Sequence, residues 1–522
     1  MEDSGAVPKA GQANTIPEPR GSGRGLGRVV AAVESNPGAA FIVFVVVHAA
    51  LWTVLPAILS RNVPLDVIEG IAYGREWQIG YWKHPPLPWW LIDIVRHVAG
   101  PRVWPLFLLG QLAVVLCFWA VWRLGCAMLR PLETLVAVML LDGCVVLNVR
   151  TMEFNHNIVQ LPIWGLAGWS LYRAFVGRRW LDWLLVGLWF ALAFYAKYAA
   201  VTLVAPLLLF SVVDRRARRS WRTPGPYLAI VVFFVVLAPH LAWLVHGGFS
   251  PVGFALSRAA KADGLLRLAY ATVARIGSAL SLIALVVTLF AVLIWGGSRV
   301  PKAAAGVDPF ARRYLLVLSL GPIVTAFAML VAMGRGMGSG WAYQFWCFIG
   351  LLLVVLWRPV IDAAALKRFV IVWSVLTILL MGVQTVAQLF HVGGGERWAT
   401  QFPGDRFAAV VTDTWHRETN QRLAYVVGDF WLAGNVIFFS PDRPHMFHDA
   451  SLHFSPWIDV ADVRRRGAVL LWSAARDGEM PAGMRALFPA ADDRAPLAIR
   501  VMTLRGEREW RVGWALLRPA GP

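Results

Sequence analysis

The sequence predicts a mostly helical, polytopic membrane bundle of about eleven spans carrying a small external α/β domain. Three observations lead there. First, only 15% of the 522 residues are charged and 58% are hydrophobic, with a mean hydropathy of +0.58. A soluble chain carries about 25% charged residues, and most of a globular surface must face water. Soluble enzyme classes therefore drop out. Second, the apolar residues fall in runs close to the ~20 that a hydrocarbon core requires. Third, 49 Lys and Arg stand against 31 Asp and Glu, a net charge of +18, and the basic residues gather in short loops between the runs. In a soluble protein that surplus would suggest nucleic acid. Here it is a topology signal, and no nucleic-acid partner is expected.

Residues 1–35 are rich in Gly, Pro and charge with no apolar period, which reads as a disordered cytoplasmic tail. Lys9, Arg20, Arg24 and Arg28 precede the first apolar run too far from the start for a cleavable signal peptide. Spans are expected near 39–59, 103–122, 131–149, 158–175, 181–196, 199–213, 226–245, 273–295, 314–333, 342–357 and 369–390. Between the fifth and sixth, Lys197 marks a turn or a bend within one helix. Arg123 and Arg130, Arg173 to Arg179, Arg215 to Arg222, Arg299 to Arg313, and Arg358 to Arg368 lie in alternate connections, on the same side as the tail. By the positive-inside rule that side is cytoplasmic. Loops 60–102, 150–157, 246–272, 334–341 and everything after 390 are then external.

Charge returns in the last stretch. Short β-like runs at Leu423–Val427 and Ala468–Trp472 alternate with helical patterns and the turn signal Ser440-Pro441-Asp442. The expected organisation is a tail over 1–35, a transmembrane domain over 36–390 containing the first external loop 60–102, and an external α/β domain over 391–522. No tandem repeat is apparent. Cys117, Cys126, Cys144 and Cys347 lie in apolar segments without metal-ligand spacing or a disulfide framework.

The richest polar segment is the first external loop. It reads Asp66-Val-Ile-Glu69-Gly-Ile-Ala-Tyr73-Gly-Arg75-Glu76-Trp77, then Gly80-Tyr81-Trp82-Lys83-His84-Pro85-Pro86-Leu87-Pro88-Trp89-Trp90. The i, i+3 spacing puts Asp66 and Glu69 on one helical face. Ile68, Ile71 and Ala72 give an apolar face that could lie in the membrane interface. The double proline opens the next helical piece. On composition alone this is a solvated amphipathic loop with an aromatic belt.

The order of the residues adds to that. The stretch from Asp66 to Trp90 resembles the first periplasmic loop of the GT-C class of polyprenyl-phosphate-sugar glycosyltransferases. That class includes protein O-mannosyltransferases, lipid A aminoarabinose transferases and rhizobial galacturonosyltransferases. Their loop has an acidic residue, an aromatic-rich helix, then Gly-aromatic-aromatic, a polar residue and His-Pro-Pro-Leu or Lys-Pro-Pro-Leu. Asp66 precedes His84 by the eighteen residues usual in such loops. Many relatives carry Asp-Glu as a pair, whereas here Val67 follows Asp66 and the next acid is Glu69. Three further stretches fit the same resemblance: Arg150-Thr-Met-Glu153-Phe-Asn155-His156-Asn157, Ala193-Phe-Tyr-Ala-Lys197-Tyr198, and Tyr425-Val-Val-Gly428-Asp429-Phe-Trp-Leu-Ala-Gly434-Asn435.

Transfer of a sugar from a lipid phosphate needs an activated acceptor hydroxyl, a neutralised phosphate and a bound sugar ring. The resemblance makes Asp66 the general base; the plain alternative is a helix N-cap. Glu69 is a further catalytic candidate, through a sugar hydroxyl or a metal; otherwise it is a solvent-facing helix position. Glu153, with Asn155 and Asn157, could bind sugar hydroxyls or position the acceptor. Cations aimed at the leaving phosphate lower the barrier, and Lys83, Arg150 and Lys197 are the candidates on the external side. Lys83 could equally snorkel to the headgroups. Lys197 lies among apolar residues and needs a partner or a polar cavity. Arg335, in the glycine-rich loop Gly334 to Trp341, is a fourth phosphate candidate by resemblance. The loop lacks the residues of a nucleotide-binding loop. His84 and His156 could shuttle protons, but holding the loop by hydrogen bonds is the preferred reading, as it is for Tyr81 and Asn155. Trp89 and Trp90 suit a belt or a sugar platform. The run Arg215 to Arg222 reads as an anchor that attracts anionic lipids.

Expected partners are therefore a polyprenyl-phosphate-linked sugar donor, a glycolipid (lipid A or core oligosaccharide), polysaccharide or protein acceptor, and membrane lipids. No cofactor is required; a divalent metal held by Asp66, Glu69 and Glu153 is left open. A transporter or lipid flippase, and a non-catalytic scaffold, are the competing classes. Neither inverted repeats nor broken helices are evident in the sequence, and a scaffold leaves the ordered loop from Asp66 to Pro86 without a purpose.

Overall fold

The structure is a computed structural model and describes residues 22–258, 265–295, 306–333, 339–390, 395–474, 478–503 and 506–520. Most of the chain is helical. Among the described residues, five helices are long and apolar enough to cross a membrane: Pro37–Leu59, Trp104–Gly125, Gly225–His246, Pro309–Met333 and Ala363–Phe390. Two more candidates are bent pairs, Pro131–Leu141 with Val145–Met152 at 89° and Tyr198–Val213 with Arg215–Arg222 at 79°. Shorter apolar helices include Trp180–Ala196, Ala284–Ile294 and Ala342–Trp357. The expected count of about eleven thus resolves into five long helices, with broken and short pieces around them. Trp104–Gly125 is the most enclosed, with 61% of its apolar window buried against 11% for Ala363–Phe390, so the former is central and the latter peripheral.

The breaks are where polar residues interrupt the apolar runs. Asn148 holds the first: its Nδ2 donates to the Asp142 carbonyl at 2.6 Å and its Oδ1 accepts from the Val149 amide at 2.6 Å. Asp142 is itself buried. Its carboxylate lies 2.9 Å from His48 Nδ1 and accepts from Trp373 Nε1 at 2.8 Å, tying three helices together. Such groups persist inside an apolar bundle only when paired. Lys197 lies in a turn, with extended backbone (φ −167°, ψ 137°), between Trp180–Ala196 and the short 3₁₀ turn Tyr198–Ala200.

Two expectations change. Ser22–Ser35, assigned to a disordered tail, is a helix whose Val30 is buried; residues 1–21 lie outside the described residues. The helix Leu65–Gly74 does not lie against lipid. Val67, Ile68, Ile71 and Ala72 are fully buried in protein. Gly70 faces Ile92 so closely that a Cβ would meet Ile92 Cδ1 at 2.3 Å, and one on Gly74 would meet the Trp89 carbonyl at 2.3 Å. The apolar face that suggested a membrane interface is therefore satisfied by the helix Leu87–Ala99 and by the C-terminal unit.

That unit is a five-stranded sheet of order β2-β1-β3-β5-β4, from β1 (Tyr425–Gly428), β2 (His445–His448), β3 (Ala468–Ser473), β4 (Asp492–Thr503) and β5 (Gly506–Leu517). β1 is parallel to both neighbours, and β4 and β5 form an antiparallel hairpin. The two runs that looked β-like in the sequence are β1 and β3. The helix Phe430–Phe439 leaves the end of β1, capped by Asp429, and lies across Leu65–Gly74. A Cβ on Gly434 would stand 2.6 Å from Ile68 Cγ2, so glycine is what permits that approach. Asn62 Nδ2 donates to Asn435 Oδ1 at 2.7 Å and Arg96 Nε to the Phe438 carbonyl at 2.8 Å, fastening the first loop to this helix.

Candidate active site

Leu65–Gly74 presents Asp66 and Glu69 one turn apart. Asp66 falls in the first turn and makes no capping bond. Its half-buried carboxylate points across to the loop after Met152, where Asn155 Nδ2 donates to Oδ2 at 2.8 Å. Asn155 in turn accepts from the Asn157 amide through Oδ1 at 2.9 Å. Lys197 Nζ donates to Asn157 Oδ1. A continuous polar path thus runs Asp66–Asn155–Asn157–Lys197. Burial pulls the Lys197 ammonium down to about 8, and the nearby Asp66 charge opposes that shift.

Glu69 is buried and receives Lys83 Nζ at 2.6 and 2.9 Å through its two carboxylate oxygens. It is not the solvent-facing position that the helical spacing alone would allow. Lys83 also stands 5.7 Å from the ring centroids of Phe254 and Phe430. His84 and His156 pack ring to ring at 4.1 Å, and His156 Nε2 bonds the Pro85 carbonyl at 3.1 Å. Burial drives the His156 imidazole down to about 3, against the Pro85 bond, with Lys197 and Lys83 adding to the depression. It is neutral at physiological pH and holds the double-proline turn rather than moving protons. Tyr81 is buried; its hydroxyl donates to the Tyr73 carbonyl at 2.8 Å and accepts from the Gln78 amide at 3.1 Å, bracing the same turn.

Arg150 and Glu153 line a small cavity of about 30 Å³ with Pro64, Gln384, Gln388 and Thr400. That is room for about one water, not a sugar ring. Tyr343, from the 3₁₀ segment Ser339–Trp346, sits within electrostatic reach of Arg150, Glu153 and Asp66, and links this corner to the polar path. Arg335 lies outside the described residues. Among the described residues no group of three His, Cys, Asp or Glu side chains could hold a metal ion, so Asp66, Glu69 and Glu153 do not assemble as a ligand set. The charged candidates thus fall into three groups: Glu69 with Lys83, Asp66 linked through Asn155 and Asn157 to Lys197, and Arg150 with Glu153 on the small cavity.

The sequence reading passed over the seam with the C-terminal unit. Glu76 accepts from His445 Nδ1 at 2.9 Å and from the Met446 amide at 3.1 Å. Asp93 takes Arg443 Nη2 at 2.5 Å and Trp77 Nε1 at 2.7 Å. The Tyr73 hydroxyl accepts from Trp82 Nε1 at 2.8 Å and meets His448 Nδ1 at 2.5 Å. Tyr73, Glu76 and Trp77 stood in the loop motif, and the β1-to-helix stretch Gly428 to Asn435 had been singled out. Pairing across more than 340 residues carries no local signal.

Residues 83–243 match the family model described as dolichyl-phosphate-mannose-protein mannosyltransferase. The lipopolysaccharide core galacturonosyltransferase RgtB of Rhizobium johnstonii is 24% identical over 500 residues, covering 88% of this chain and 94% of its own. RgtA of the same organism, with the same description, is 24% identical over 511 residues, covering 90% and 96%. In fold, the chain is similar to the crystal structure of ArnT from Cupriavidus metallidurans bound to undecaprenyl phosphate, with a TM-score of 0.59 at 13% identity over 93% of this chain and all of that one. The partial family match, the two relatives matched over nearly their whole length and the shared fold make the chain similar to multi-pass membrane glycosyltransferases of the GT-C type.

Proposed function

We propose that the chain moves a sugar from a polyprenyl-phosphate donor to an envelope acceptor at the outer face of a bacterial inner membrane, with Asp66 as general base. The observation that carries this reading is the path from Asp66 through Asn155 and Asn157 to Lys197. It sets a carboxylate and a half-buried ammonium in one polar strip beside the membrane, the two charges that a displacement at a sugar phosphate requires.

In this mechanism the acceptor hydroxyl gives its proton to Asp66 as its oxygen bonds the anomeric carbon. The bond from that carbon to the phosphate oxygen breaks, and the phosphate leaves with both electrons. Asn155, bonded to Oδ2, holds the carboxylate with its other oxygen turned to the acceptor. Lys197 and Arg150 meet the charge that grows on the leaving phosphate, in a site poor in water. Lys83 adds positive charge on the other side, oriented by Glu69. A single displacement of this kind inverts the anomeric configuration. The basic loops support a cytoplasmic tail and a periplasmic C-terminal unit, by the positive-inside rule.

The two relatives make a galacturonate donor and a lipopolysaccharide core acceptor the first pair to test. Mass spectrometry of envelope glycolipids from a deletion strain should show the loss of one sugar, restored by the wild-type gene and not by Asp66→Asn. An unchanged glycolipid profile, with the purified protein inert toward polyprenyl-phosphate sugars, would refute the donor assignment.

A further inference from the structure

One surface beside the site has no part in the mechanism above. Trp82 is half-buried, with its ring 4.6 Å from Phe454, 5.0 Å from Phe254 and 6.1 Å from His453. Its indole N–H is committed inward, to the Tyr73 hydroxyl at 2.8 Å. His453 is exposed, and Phe254 and Phe454 are half-buried. The result is an aromatic shelf built jointly by the first loop, the helix Ser250–Arg258 and the turn after β2.

The shelf has a polar edge of unusual backbone geometry. Asp449 and Ala450 both have left-handed φ, 49° and 54°, which non-glycine residues seldom adopt. The surroundings enforce it. The Asp449 amide donates to the Gly428 carbonyl at 3.0 Å, the Ser451 amide to the His448 carbonyl at 2.9 Å, and the His448 amide to Ser455 Oγ at 3.0 Å. The strain turns out a carboxylate that is 48% exposed and 3.5 Å from His448 Nε2. Strained residues locked in this way cluster at ligand sites. The shelf adjoins the chemistry: Phe254, packed on Trp82, lies 5.7 Å from the Lys83 ammonium, whose partner Glu69 is one helical turn from Asp66.

We infer that this shelf is a carbohydrate subsite for the acceptor: a hexose residue of the acceptor glycan stacks on Trp82 and Phe454, with Asp449 and His453 taking its hydroxyls. Aromatic faces suit the C–H face of a pyranose, and an exposed carboxylate and an exposed imidazole can each bond its hydroxyls. The choice of acceptor rather than donor follows from position. The donor's isoprenoid chain holds it in the bilayer, whereas half of the shelf belongs to the C-terminal unit. The inference rests on the glycosyl-transfer reading for its meaning, and its test is independent of turnover.

The probe is delipidated lipopolysaccharide core oligosaccharide, titrated into the full-length protein in detergent and followed by saturation-transfer NMR and calorimetry. Wild type and Asp66→Asn should bind alike. His453→Ala and Phe454→Ala should bind about tenfold more weakly, and in transfer assays should raise the acceptor KM by the same factor, with kcat and donor KM within twofold. His453 is exposed, so its variant carries the test should Phe454→Ala fail to fold. No oligosaccharide binding to wild type, unchanged binding in His453→Ala, or a rise in donor KM instead would each overturn the subsite. Normal binding without any sugar transfer by wild type would refute the transferase reading while leaving the subsite standing.

Discussion

Asn155 Nδ2 donates a 2.8 Å hydrogen bond to Asp66 Oδ2, joining the helix Leu65–Gly74 to the loop that follows the bent pair Pro131–Leu141 and Val145–Met152. Asp66 lies in the first helical turn, where its charge also suits the helix N-terminus, and Asn155 is its hydrogen-bond donor. Asp66→Asn should therefore lower kcat by about 10²–10⁴-fold, the usual worth of a positioned general base. Its amide oxygen can still accept from Asn155, and the melting temperature should stay within a degree or two of wild type. Turnover with purified protein and a melt in detergent check both. Undiminished kcat would remove Asp66 from the chemistry.

Lys197 makes a prediction with two opposite signs. Burial lowers its ammonium from 10.5 to about 8. Between those values the unfolded chain binds more protons than the folded one, so stability rises with pH through this window. Transfer should do the reverse, falling above pH about 8 as the phosphate-facing charge is lost. Lys197→Arg keeps its charge across the range and should remove the alkaline fall. Parallel pH profiles of kcat and of the melting temperature test this; two curves falling together would contradict it.

Glu69 and Lys83 form a pair whose side chains are only 6% and 16% exposed. Removing one partner of such a pair leaves the other charge stranded, at a cost of about 3 kcal/mol. Glu69→Gln and Lys83→Met should each destabilise by roughly that amount, and the double variant by clearly less than the sum. Chemical denaturation of the four proteins forms the cycle. Additive losses would show that the pair contributes nothing as a unit.

Tyr73 bridges the helix Leu65–Gly74 and the C-terminal unit. Tyr73→Phe leaves Trp82 Nε1 and His448 Nδ1 without their shared oxygen. Buried groups deprived of a partner cost about 1–3 kcal/mol. Because His448 belongs to β2, the loss should appear as looser docking of the C-terminal unit, read as faster limited proteolysis after residue 390. Proteolysis at the wild-type rate would mean that the Glu76–His445 and Asp93–Arg443 contacts suffice alone.

The membrane character, the placement of most helices and the ordered loop from Asp66 to Pro86 were legible in the sequence, because hydropathy and short motifs are local properties of a chain. The β-like runs at 423–427 and 468–472 were legible for the same reason, and the structure makes strands of both. The interface reading of Leu65–Gly74 went astray because amphipathicity shows that a face must be covered and not by what. Lipid and the helix Phe430–Phe439 satisfy Ile68 equally well on paper. Glu69 looked like a solvent position for a related reason: its partner Lys83 lies across a double-proline turn that no helical period describes.

What the sequence determined by itself was composition and order, a chain too apolar for water carrying a carboxylate at a set interval before His84-Pro85-Pro86. Only the tertiary structure decided which groups meet: Asp66 with Asn155, Asn157 with Lys197, Tyr73 with His448. These contacts arise from packing between segments distant along the chain, where a residue's partner depends on how whole helices break and dock, and its sequence neighbours carry no record of that.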